Sequence, residues 1–100
     1  MSHMSELQSL DDVRSRIDDL DTELVALLAR RQKLVEAAAG FKNDEHAVRA
    51  PDRVERVVTA VRAKAIAAGL DAAVAETIWR AMITAFIQLE LARHRSTTDG

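Results

Sequence analysis

The chain has 100 residues, a formal net charge of −2 and no cysteine; 48% of its residues are apolar, with three aromatics, three glycines and one proline. The absence of cysteine excludes disulfides, thiolate metal sites and cysteine nucleophiles, and basic residues scattered without a run give no electrostatic footprint for nucleic acid. No apolar stretch approaches the roughly 18 residues that a membrane span needs and no charged-then-apolar leader precedes the domain, so the expected setting is the cytoplasm and the expected class is all-α.

Met1-Ser2-His3-Met4 reads as a cloning remnant ahead of a second start. Residues 1–8 are therefore set aside as tag remnant and flexible N-terminus, 9–95 as one helical domain, and 96–100 as a small, polar, flexible tail. Ser9 is placed to cap the first helix, with Asp11 and Asp12 in the first turn, where carboxylates suit the positive end of the helix dipole. From there to about Lys42, Leu10, Ile17, Leu24, Arg31 and Ala38 fall at one heptad position and Val13, Leu20, Leu27, Leu34 and Phe41 at the other. Arg31 is the exception in that seam: its guanidinium must be paired, reach outward or face an anion. Asp18, Asp19, Glu23, Arg30 and Lys33 read as a solvated outer face. Roughly 33 residues at about 1.5 Å each give a helix of about 50 Å, against a radius of gyration of about 13 Å for a compact chain of this size. A second copy is the simplest cover for its apolar seam, so a homodimer is expected.

Gly40 weakens the end of this helix, and Asn43-Asp44-Glu45-His46 reads as a polar connection and candidate lid leading to Arg49-Ala50-Pro51. Pro51 suits the first position of a second helix over about 51–68, with Val54, Val57, Val58, Val61 and Ala65 as its apolar stripe. Gly69 followed by Leu70 closes it, and Asp71 caps a third helix from Ala72 to Arg93 or beyond. That third helix carries two apolar stripes, Ile78, Met82, Ala85, Leu89 and Trp79, Ile83, Ile87, so burial over much of its surface is expected. Glu90 is the next member of the second stripe, a carboxyl where an apolar residue is due.

Arg31 and Lys42 lie eleven residues apart, close to three whole turns, and so share one face about 16 Å apart along the axis, with Val35 between them. Two such side chains can hold one small anion. Arg14 is about 42 Å from Lys42 along the same helix, so it reaches that anion only from another chain. The plainer alternatives stay open here: Arg31 paired with Glu90, Arg14 and Lys42 as rim charges, Glu90 paired with His94 one turn on. His3, His46 and His94 are too scattered for a bundle metal site, no Ser or Thr has an adjacent base, and no cofactor fingerprint is present. No metal and no cofactor are expected.

Arg14 near the start of a long first helix, the run Leu27-Leu28-Ala29-Arg30-Arg31, Phe41-Lys42 at its end, Arg53 just after the lid and Glu90 late in the third helix together resemble the all-helical chorismate mutases over about residues 10–93. Ala50-Pro51-Asp52-Arg53-Val54 and Gly69-Leu70-Asp71-Ala72 resemble that family's isochorismate pyruvate lyase-like branch. The resemblance implies an intertwined homodimer of three-helix chains with two equivalent sites for a small dicarboxylate. In it, Arg31 holds one carboxylate and Arg14 of the partner subunit the other, Lys42 and Glu90 point at the ether oxygen of the enolpyruvyl group, and Val35 and Ile87 shape the pocket around the ring. Arg53 matches a family arginine near the lid without an implied direct contact. Ala50, Val54 and Phe86 stand where many plain chorismate mutases carry polar residues, whereas Glu90 resembles the mutases more than the lyases, which carry Gln there. Chorismate mutase is the expected activity, isochorismate pyruvate lyase the alternative, and an aminated chorismate analogue a third possible substrate. A non-catalytic helical dimerisation module is the rival from another class.

Overall fold

A computed structural model of the chain describes residues 7–99, with side chains through Arg95; the expected remnant at residues 1–4 lies outside the described residues. Four helices follow one another, α1 (Leu10–Ala39), α2 (Glu45–Arg49), α3 (Pro51–Ala68) and α4 (Ala72–Asp99), and there is no strand among the described residues. The all-α expectation holds. The chain divides into two compact units, residues 1–34 and 35–100.

In the first unit, the Asp12 amide donates to Ser9 Oγ (3.1 Å) while the Asp12 carboxylate accepts from the Gln8 amide (3.1 Å), a reciprocal cap that satisfies two donors at the helix start. No residue of α1 is buried. Leu10, Ile17, Leu20, Leu24, Leu27 and Leu34 are all exposed, as are Val25 and Leu28 beside them.

In the second unit, α1 ends at Ala39, three residues short of the expected Lys42. The Gly40, Phe41 and Lys42 amides turn back to the Ala37, Ala38 and Ala39 carbonyls (3.0–3.2 Å), tightening the last turn to an i→i−3 pattern. The expected polar connection is partly helical instead. Asp44 caps α2 by accepting from the Ala47 amide at 2.8 Å, and Val48, 2% exposed, anchors α2 where it packs on α4. Ala50 joins α2 directly to α3 in a left-handed conformation (φ 38°, ψ 61°), its amide donating back to the His46 carbonyl (2.9 Å) and its carbonyl accepting from the Val54 amide (3.0 Å).

α3 and α4 form an antiparallel hairpin. Gly69 at φ 81° lets its own amide reach the Ile66 carbonyl (3.3 Å) and the Leu70 amide reach that of Ala65 (2.8 Å). These bonds satisfy the carbonyls that the end of a helix leaves open. Asp71 Oδ1 then accepts from the Ala73 and Val74 amides at 2.9 and 3.1 Å, starting α4. Val61, Ala65 and Ala75 make the core of the hairpin, with Val57 and Trp79 packed against it. Ala75 is fully buried, so the helices meet closely where its side chain is small. The expected extensive burial of the third long helix is not found in the single chain: Ala75, Glu90 and Leu91 are buried, while Val74 and Ile78 are about half exposed. Trp79, Ile83 and Ile87 are half-buried, whereas on the other stripe Ile78 and Ala85 are exposed beside half-buried Met82 and Leu89. No described helix is long and apolar enough to cross a membrane.

Candidate active site

Glu90 sits on α4 next to Leu91, which is 1% exposed, and α2 packs on the same helix. Its carboxyl is almost wholly buried, and Lys42 Nζ donates to Oε2 at 2.8 Å. The Lys42 side chain as a whole is 24% exposed against 6% for that of Glu90, so the pair is more open on the lysine side. A buried carboxylate is costly unless paired and hydrogen-bonded, which gives Lys42 a structural reason to be there whatever else it does.

Lys42 reaches this point from the link between α1 and α2 rather than from a helix. Two further ion pairs join the helices on either side of that link to α4: Arg93 Nη1 to Glu36 Oε2 of α1 at 3.3 Å, and Arg95 to Glu45 Oε1 of α2 at 3.2 Å. Nothing in the local sequence pattern announces them, since exposed pairs of long side chains have no signature in helix periodicity.

Of the residues singled out in the sequence, the structure brings Lys42 and Glu90 together. Ile87 lies one turn before Glu90 and is half-buried; Val35, also half-buried, is next to Glu36 in the last turns of α1. Arg14 and Arg31 belong to the first unit, where Arg14 is exposed and Arg31 half-buried. Val54 and Phe86 are half-buried, and Arg53 is exposed.

A second charge cluster lies on the hairpin. Arg80 grips Glu55 with both terminal nitrogens (2.9 and 3.0 Å) and gives its Nε to Glu76 (2.8 Å), which also accepts from Arg62 (2.7 Å). Hydrogen bonds from Arg80, with its charge in support, hold the Glu55 carboxyl below the ordinary carboxylate value. Bonds from Arg80 and then Arg62 do the same at Glu76, and the two carboxylates push the Arg80 guanidinium up in turn. Each of these groups already has its partner, so the cluster reads as a hairpin clasp. Among the described residues, no three His, Asp or Glu side chains gather as a metal site.

What the Lys42–Glu90 arrangement offers chemically is one cation and one carboxyl side by side at a partly exposed position. That suits stabilising charge on a single oxygen of a bound molecule. Residues 13–91 match the profile of the family described as chorismate mutase type II. The chain is 35% identical over 88 residues to the isochorismate pyruvate lyase of Pseudomonas aeruginosa, an alignment spanning 88% of this chain and 87% of that protein. It is 37% identical over 78 residues to the T-protein of Haemophilus influenzae, covering 77% of this chain but 21% of that longer protein.

Proposed function

The chain belongs to the chorismate mutase type II family, and from that premise we propose that it rearranges chorismate to prephenate by a non-covalent pericyclic mechanism. In this reaction the ether C–O bond breaks while a C–C bond forms within the same molecule, so no nucleophile, metal or cofactor is called for. The protein has to select the folded conformer of the substrate and stabilise the negative charge that grows on the ether oxygen. The observation that carries the reading is Lys42 Nζ 2.8 Å from the buried Glu90 carboxyl, two groups close enough to address one oxygen together. Glu90 donates only when protonated, and an ionised carboxylate there would repel a dianionic substrate.

Arg31 supplies the cation for one substrate carboxylate, and Arg14 of the partner subunit the cation for the other. Val35 and Ile87 bound the ring. The exposed seam of α1 supports a homodimer as the working form, because so long an apolar stripe needs cover. Residues 9–95 are the functional domain, and the lack of cysteine fits a cytoplasmic setting.

A second reading, isochorismate pyruvate lyase, is favoured by the Pseudomonas relative of that name, which this chain spans almost end to end. Incubation of the purified protein with chorismate and, separately, with isochorismate decides between them. Prephenate from chorismate supports the mutase, salicylate plus pyruvate from isochorismate supports the lyase, and turnover of neither leaves a helical dimerisation module.

A further inference from the structure

Lys42 has no helix of its own. α1 stops at Ala39 and α2 starts at Glu45, so the backbone that carries Nζ is a short link beginning at Gly40. Its first residues are tied back only by single i→i−3 bonds to the end of α1, a weaker hold than a helix interior, and an ammonium on a flexible four-carbon stem adds freedom. Yet Nζ is held at 2.8 Å from Glu90.

The two acidic residues that bracket Lys42 explain this. Glu36, six residues before it, meets Arg93, and Glu45, three residues after it, meets Arg95. Arg93 and Arg95 are two positions apart on a helix and so leave α4 about 200° apart around its axis. Glu36 and Glu45 therefore meet arginines that leave α4 in different directions, about one turn beyond the Glu90 that holds Lys42. We propose that Arg93 and Arg95 are positioning residues, which fix the Lys42 ammonium against Glu90 by tying down both flanks of the link. The inference rests on the reading of Lys42 as the donor to the ether oxygen. Neither arginine need touch substrate.

Both bridges are largely exposed, and such a pair shifts an equilibrium by about five-fold at most. The test uses the full chain with Arg93→Gln, Arg95→Gln, the double variant and the charge-swapped Glu45→Arg with Arg95→Glu. Steady-state kinetics on chorismate and hydrogen exchange at amides 40–46 are read together. Each single variant is expected to lose about three- to five-fold in kcat and the double variant about ten-fold or more, with smaller changes in KM. Exchange in the link should quicken in parallel, and the swapped pair should recover both readouts. Glu55→Gln, which breaks a comparable exposed bridge in the hairpin, should change neither. Unchanged kcat and exchange in the double variant overturn the proposal, as does a rise in KM at constant kcat, which would make the arginines binding groups instead. A wild-type protein inactive on chorismate would remove the functional reading alone; the tether then stands or falls on the exchange data and their recovery in the swap.

Discussion

Replacing Lys42 by Met separates what the Lys42–Glu90 pair does for folding from what it does for catalysis. The substitution keeps the stem's volume and removes the charge, leaving the Glu90 carboxyl, 5% exposed, without its 2.8 Å partner. Breaking a fully buried pair by deleting one member costs about 3–5 kcal/mol. Lys42 retains a quarter of its exposure, so water takes over part of the solvation, and about 2–3 kcal/mol is the expected loss. Adding Glu90→Met removes the stranded carboxyl and should bring stability back to within about 1 kcal/mol of wild type, since an apolar pair of similar volume commonly matches a buried ion pair. Activity should not follow. Loss of one donor to a developing oxyanion lowers kcat by about 10²–10³, and the double variant lacks the proposed Lys42 donor as well as the Glu90 carboxyl. Urea unfolding at one fixed protomer concentration gives the first quantity and prephenate formation the second. A Lys42→Met variant within about 0.5 kcal/mol of wild type, or a double variant that regains turnover, would refute the reasoning.

The hairpin clasp predicts an acid limb in stability. Folded Glu55 and Glu76 titrate below the ordinary value of 4.5, so their contribution is fully present above it and is lost as pH falls through the lowered folded values; Glu55→Gln with Glu76→Gln should flatten the acid fall of the urea midpoint. The two left-handed residues should respond in opposite senses to exchange. Gly69→Ala has open space for its Cβ and so should lose about 1–2 kcal/mol from backbone strain alone, whereas Ala50→Gly should gain about 0.5 kcal/mol or more, both measured by thermal and urea unfolding. Arg14→Ala and Lys42→Ala should each inactivate the proposed homodimer, and mixing them tests the proposed shared site: random exchange would make about half the dimers mixed, each with one intact site, so about one quarter of wild-type activity should return. No recovery, with exchange confirmed by mass spectrometry, would take Arg14 out of the partner's pocket.

Helix ends were legible wherever a short-range bond decides them. Ser9, Pro51, Gly69 and Asp71 all act within a few residues of their own position, and each stands where the sequence places it. The end of α1 was less legible, because Gly40 and the apolar Phe41 give opposite signals and the turn resolves them by tightening. Asp44 was visible as polar but not as a cap, since Val48, which makes the short α2 worth forming, is anchored by a helix forty residues away in sequence. Glu90 stood out as a carboxyl on an apolar stripe and Lys42 by its three-turn spacing from Arg31, and the family resemblance supplied the idea that they meet. Arg93 and Arg95 carried no such anomaly. Arginines near the end of a helix are ordinary, and only the three-dimensional path of the link gives them partners.

The bonds along the hairpin join residues 10, 14 and 25 positions apart, whereas the three ties around the candidate site span 48, 50 and 57. Contact order thus rises sharply from one end of α4 to the other. Loop-closure entropy must be met before a distant contact gives anything back, so the hairpin forms early and quickly while the site zips up last. The same order runs in reverse on warming. Opening that releases the end of α4 from α2 and the link needs less free energy than melting the α3–α4 hairpin. Turnover is therefore expected to fade on heating several degrees before helical circular dichroism does, because Lys42 and Glu90 meet beside the smaller of the two helix interfaces on α4.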